Sequence, residues 1–359
     1  MLNKFCPGAI WPDTRGVHIN AHGGGILYHD RTYYWFGEHK IDGRAGNKAM
    51  VGVHCYASHD LYNWEDMGIA LPVSDDAESD ITRGCVLERP KVIYNAATGK
   101  FVMWFHLELK GQGYKAARSG VAVSDSVAGP YTFLGSFRPN AGVWPDNAIP
   151  DEKVVPEPGA VEGEFSGGPR DVVDRLNILG RDFPGGQMAR DMTLFVDDDG
   201  LAYHLYASEE NSTLQISLLT EDYLAPAGQY VHVFRKRYME APAICKRQGH
   251  AGQNRYYFIG SDCTGWAPNA ARSAVADSVW GPWTELGNPC VGEGSEITFG
   301  GQSTYLLPVA GKDDAYIAMF DLWRPKNAID GRYLWLPMRF KDGRFELQNV
   351  AEWDLSFFG

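Results

Sequence analysis

The chain has 359 residues, enough for one large domain or two ordinary ones, and its 44% hydrophobic and 22% charged content excludes a disordered polypeptide. With 33 basic against 45 acidic residues the net charge is −12, which argues against nucleic acid and anionic membrane as partners. No run of about 18 apolar residues is present, so no membrane-spanning helix is expected. The N-terminus, Met1 to Cys6, has no apolar stretch after its lone lysine. That is the pattern of a cytoplasmic chain, or of a secreted one whose leader is absent. The six cysteines are scattered without a CxxC pair, so buried free thiols are expected in place of a zinc site or a disulfide framework.

Helical periodicity is scarce; short apolar runs of strand length recur between Gly, Asp, Asn and Pro turns. The first unit opens at His22-Gly23-Gly24-Gly25, turns at His29-Asp30 and returns through Tyr33-Tyr34-Trp35-Phe36. The second opens at Glu88, runs through Val92-Ile93-Tyr94, turns over 95–99 and returns through Phe101 to Phe105. A stretch rich in Gly, Pro and Asp follows, from Phe137 to Gln187, and is expected to be a loop inserted over one face. The third unit opens at Asp191, turns at Asp197-Asp198-Asp199-Gly200 and returns through Ala202 to Tyr206; the fourth opens at Glu240 and the fifth at Gln302. One internal match fixes the register: 152 positions separate Asp125 from Asp277 in two similar segments, and the same 152 separate Glu88-Arg89-Pro90 from Glu240-Ala241-Pro242. The expected fold is therefore all-β, a single five-bladed β-propeller domain over residues 1–359 with an insertion at about 137–187. A pair of stacked β-sandwiches would not explain one repeated register.

In a propeller the first strand of each blade lines the axis, so equivalent ends converge. Those ends hold His22, Glu88, Asp191, Glu240 and Gln302, and the second strands finish near the same rim at Glu38, His106 or Glu108, Glu209, Asp262 and Asp321. Gathering carboxylates is electrostatically costly, because like charges raise one another's pKa. A single one of them is as well explained by capping a turn or pairing with Arg89, Arg190 or Arg272; the set is not. Facing carboxylates with separated pKa values are what glycoside hydrolysis uses. There is no GxSxG and no HExxH, which disfavours serine nucleophiles and zinc hydrolysis. Asp197 to Gly200 resembles the start of a calcium loop without its downstream acidic position, so a hairpin turn is expected there.

At these residues the chain resembles glycoside hydrolase family 43. The segment Arg190-Asp191-Met192-Thr193-Leu194-Phe195 is similar to that family's strand carrying the aspartate that tunes the acid, and Glu240-Ala241-Pro242 is similar to its general-acid motif. The family's base aspartate would stand at the start of the first unit, where Asn20-Ala21-His22-Gly23 offers no carboxylate. That departure, with Tyr34-Trp35-Phe36-Gly37-Glu38, Glu88-Arg89-Pro90-Lys91 and Gly301-Gln302-Ser303-Thr304, resembles the exo-β-1,3-galactanase branch, in which a glutamine replaces the base. The resemblance implies an inverting release of terminal galactose from β-1,3-galactan. Glu240 would be the acid, Asp191 its orienting partner, and Gln302 the holder of the attacking water, a base only through an imidic-acid tautomer. Glu38, Glu88, His22, Arg89, Glu209 and Trp266 are the expected substrate-binding residues. The expected partner is carbohydrate, with no metal or other cofactor except that a structural calcium in the channel stays open. The alternatives are another family 43 specificity (α-L-arabinofuranosidase or β-xylosidase) and a propeller that binds carbohydrate without turnover.

Overall fold

The computed structural model describes residues 1–161, 168–248 and 254–359. Four sheets are four-stranded and antiparallel. They comprise β1–β4 (His22–His29, Thr32–His39, Gly52–Ser58, Glu65–Pro72), β5–β8 (Val86–Asn95, Lys100–Glu108, Arg118–Ser124, Thr132–Phe137), β9–β12 (Met192–Val196, Ala202–Ser208, Thr213–Leu219, Pro226–Val233) and β13–β16 (Met239–Gln248, Asn254–Asp262, Arg272–Ala276, Thr284–Gly287). After a short β17 (Cys290–Val291), β18–β20 (Gln302–Pro308, Tyr316–Leu322, Arg332–Pro337) make a three-stranded sheet. A sixth sheet joins β17 to β21 (Arg339–Lys341) and β22 (Arg344–Gln348).

Burial follows position in the blade. The second strands are apolar nearly throughout, as in the buried run Phe101 to Glu108 of β6, because both their faces meet neighbouring sheets. The fourth strands alternate with solvent, as in β4 and β8. Apolar side chains fill the wedges between sheets: Trp35, Trp64, Tyr333 and Trp335 between the first and fifth, and Phe36, Val53, Met103 and Phe105 between the first and second. The first strands close a ring at the axis, β1 against β5, β5 against β9, β9 against β13, β13 against β18, and β18 against β1.

The expected count of five blades is corrected, since the β-propeller has six sheets among the described residues. The sixth contributes no strand to the axial ring. Its strands are two to five residues long and are tied by a parallel pairing of Cys290 with Leu347. Phe345 and Leu347 bury themselves against Leu334 and Leu336 of the fifth sheet. With no polar start and no repeated turn, this sheet leaves no periodic trace in the sequence.

The insertion at 137–187 carries a 3-10 turn (Pro150–Glu152) and two short helices, α1 (Arg170–Val173) and α2 (Ile178–Asp182); residues 162–167 of it lie outside the described residues. Val173 and Ile178 pack on Tyr238, which seats the insertion beside the start of β13. All six cysteines are free; four are buried, Cys263 is half-buried and Cys6 is exposed, contrary to the expectation for that one. Asp197 to Gly200 is a hairpin turn, as expected, with Gly200 N–H donating to Asp197 O at 2.9 Å and the Asp197 carboxylate paired with Lys246. No helix among the described residues is long and apolar enough to cross a membrane.

Candidate active site

The repeat places the site through a shared backbone defect. β1, β5 and β13 each slip register just after their first polar residue, between His22 and Gly25, Glu88 and Lys91, and Glu240 and Ala243. The residue following the polar one is left-handed in each case, at φ 62° for Gly23, 57° for Arg89 and 53° for Ala241. Such a bulge swings one N–H out of the ladder, and here each is taken by a carboxylate from an adjacent sheet. Gly23 N donates to Asp321 Oδ2 at 2.7 Å, Arg89 N to Glu38 Oε1 at 3.0 Å, and Ala241 N to Asp191 Oδ2 at 3.0 Å. Pro90 and Pro242 follow in two of the three bulges, where no ladder N–H is required. At Gly23 a side chain is also excluded sterically, because a Cβ would collide with Glu38 Oε1.

The β5 and β13 bulges, with Glu38 and Asp191, rim a cavity of about 470 Å³. On one wall, Glu240 accepts from Asn211 Nδ2 at 2.9 Å. Burial, reinforced by the charge of Asp191, pushes the Glu240 carboxyl up to about 7. Asp191 is held by Arg89 Nη2 at 3.0 Å as well as by Ala241 N. The same guanidinium nitrogen donates to Gln302 Oε1 at 2.7 Å, and Arg89 Nη1 to Ser303 O at 2.7 Å. Gln302 Oε1 also accepts from Trp323 Nε1 at 2.8 Å, while Gln302 Nε2 donates to Ser261 Oγ at 3.0 Å. The amide is therefore fixed in one orientation, with its oxygen facing two groups that can only donate. An imidic-acid tautomer, whose oxygen carries a proton, finds no acceptor there.

The opposite wall is a buried charge ladder. Glu38 Oε2 lies 2.5 Å from Lys40 Nζ, and burial raises the Glu38 carboxyl against the pull of that lysine. Glu88 meets His106 Nδ1 at 3.1 Å and accepts from Tyr114 Oη at 2.9 Å; His106 Nε2 meets Glu108 Oε1 at 2.9 Å. Burial disfavours charge on His106, yet the hydrogen bonds and charges of Glu108 and Glu88 raise it to about 10. Glu88 in turn, against its own burial, is lowered to about 2 by His106, Lys40 and Tyr114. Glu88, His106 and Asp191 bring one donor atom each within 4.8 Å, the spacing of a cation site. Both imidazole nitrogens of His106 are engaged by carboxylates, Nδ1 by Glu88 and Nε2 by Glu108.

No family model and no curated protein matches the chain. Solved structures do. It is 50% identical to a GH43 β-1,3-galactosidase determined with galactodeoxynojirimycin, with a TM-score of 0.88, over 98% of this chain and 100% of that one. The chain belongs to glycoside hydrolase family 43. It is also similar to exo-β-1,3-galactanases from Phanerochaete chrysosporium, determined with galactose (33% identity, TM-score 0.76, 98% of this chain and 68% of that one), and from Clostridium thermocellum (34%, 0.77, 97% and 66%).

Of the residues expected to build this family 43 site, Glu240, Asp191, Gln302, Glu38, Glu88 and Arg89 all face the one cavity, and Trp266 stands at its rim, 47% exposed. Two do not line it. His22 is fully buried, stacked on Tyr333 with ring centroids 5.1 Å apart and bonded to Asp321 at 3.3 Å; it sits behind the site. Glu209 turns toward Gln215 and His232, and the next two residues, Glu210 and Asn211, reach the cavity in its place. Trp323, Lys40, Tyr114 and Cys263 also line the cavity and were not foreseen. Trp323 and Lys40 lie two residues beyond Asp321 and Glu38, so the rim signal reached almost to them. Cys263 directly follows the rim residue Asp262, and Tyr114 sits in a loop without a counterpart in the repeat.

Proposed function

We propose that this enzyme removes terminal galactose from β-1,3-galactan by an inverting exo mechanism. The observation that carries the reading is the chemistry of the cavity's two key groups: a carboxyl poised at about 7 in Glu240, and an amide, Gln302, with no base carboxylate at the start of the first unit. The related structures named for β-1,3-galactosidase and exo-β-1,3-galactanase activity support the substrate. The buried Glu38, Lys40 and His106 close the inner wall, which favours a chain end over a chain interior.

Glu240 gives its proton to the glycosidic oxygen as the bond to the anomeric carbon breaks. Asp191, held by Arg89, keeps that carboxyl protonated until the sugar arrives. Glu38 and Glu88 take galactose hydroxyls as charged acceptors, and the Trp266 face receives an apolar sugar surface. Gln302 holds the water. With an oxocarbenium-like transition state the water bonds late, so its proton is shed to solvent once the new C–O bond forms, and Glu240 regains one from solvent.

NMR of β-1,3-galactan hydrolysis should show α-galactose as the first product. A β-anomer appearing first overturns the inverting reading. Glu240→Gln should cut turnover of galactan by roughly 10²–10⁴-fold with the fold intact; near-normal turnover removes Glu240 from the role, and binding without turnover in the unmodified enzyme marks a silent carbohydrate binder.

A further inference from the structure

The steps above leave unused a buried charge cluster behind Glu240 and the strained segment it holds. Glu209, Glu210 and Asn211 follow β10 with φ of 51°, 56° and 66°. Three successive non-glycine residues in the left-handed region carry backbone strain. Such a segment persists only where its surroundings over-determine it, and it concentrates at functional sites. Here Glu210 Oε1 pairs with Arg181 Nη1 at 3.0 Å and Glu210 Oε2 with Arg190 Nη2 at 3.1 Å, with Glu210 and Arg190 buried. Arg190 Nη2 donates to Tyr114 O at 2.7 Å, and Arg190 Nη1 to Asn211 Oδ1 at 3.3 Å. That last contact settles the Asn211 amide: its oxygen faces a guanidinium, so the group it offers Glu240 Oε1, at 2.9 Å, is an N–H.

We infer that Asn211 is the positioning residue of the acid, placing the catalytic proton on Glu240 Oε2 and leaving Oε1 as the carbonyl oxygen. The inference rests on Glu240 being the acid. A protonated carboxyl has one hydroxyl and one carbonyl oxygen, and an obligate donor at Oε1 selects which is which. The proton then waits on a single oxygen, and the left-handed tripeptide with Arg190 and Glu210 holds that choice in place before substrate binds. The charged and titratable groups facing Glu240, namely Asp191, Arg89, Arg190 and Cys263, remain in every variant below.

Two variants test it. Asn211→Asp keeps an oxygen for Arg190 but removes the donor; Asn211→Ala removes both. On β-1,3-galactan, whose leaving group needs a proton, kcat should fall by ~10–100-fold in each, as for a misplaced reacting group. On dinitrophenyl β-galactoside, whose leaving group needs none, the loss should stay under about threefold. The high-pH limb of the galactan profile should move upward, further for Asn211→Asp, since a donor to a carboxyl favours its ionised form and a neighbouring carboxylate opposes it. Equal losses on both substrates, an unmoved limb, or a change in KM alone overturns the inference. Glu240→Gln run alongside separates the failures. If it retains galactan activity, the acid assignment itself is lost; if it is inactive while both Asn211 variants keep the normal profile, only the role of Asn211 is lost.

Discussion

Burial and the Asp191 charge hold Glu240 near 7, and the sign of the activity profile follows. The competent form is the protonated one, so kcat/KM on galactan should be level below about pH 7 and fall as pH rises through it. A profile flat to pH 9 would contradict this. Raising that carboxyl is useful only because its neighbours stay charged: Glu88 is pulled to about 2 by His106 a few ångströms away. Glu240 and Asp191 were readable from the chain because each opens a repeated strand. The fixed orientation of Gln302 was not, since Ser261, Trp323 and Arg89, which set it, come from three different sheets. His22 shows the opposite failure. Its place in the repeat is right, but Tyr333 and Asp321 bury it, and position in a strand does not report what packs on it.

At the scale of the strand, the bulge explains why the Glu-X-Pro signature recurs at one offset. The left-handed residue and the proline are the sequence mark of a strand that breaks step to hand one N–H to its neighbour. The offset of 152 thus reported a real structural unit, joining β5–β6 to β13–β14, and the strand starts of the other units agree with β1, β9 and β18. What the pattern missed is Glu210 and Asn211, just past the rim residue Glu209, in irregular backbone that has no period to detect. Gly23→Ala tests the bulge of β1. The substitution meets both a left-handed φ and the Glu38 carboxylate, so Glu38 must move. KM for galactan should rise by about tenfold or more, with a smaller change in kcat if Glu38 serves binding alone. Unchanged KM would show that Glu38 does not grip the sugar.

Across the whole molecule, the axial ring and the wedge cores were legible as a repeat, whereas the sixth sheet was not, because its parallel pairing joins segments remote in sequence. Closure between the first and fifth sheets also depends on remote segments. Phe5 and Trp353 exchange backbone hydrogen bonds at 2.8 and 3.1 Å, and their rings stack at 4.4 Å. Phe5 lies within the cluster of Trp11, Trp35 and Trp335 and is 1% exposed. Phe5→Ala should therefore cost about 3–5 kcal/mol, the range for a buried phenylalanine, read as a lowered urea midpoint at unchanged slope. A loss below 1 kcal/mol would mean that the ring closes without it.

The three carboxylates that complete a neighbour's bulge have a consequence for how such a protein can change over generations. A blade here is a repeat in shape but not a self-contained cassette. Asp321 finishes the first blade, Glu38 the second and Asp191 the fourth, so a blade exchanged with a cousin's would arrive without its hydrogen-bond acceptor and deprive the next blade of one. Recombination at the seams should be poorly tolerated around this mouth and better tolerated in the outer strands, where no such debt crosses the boundary.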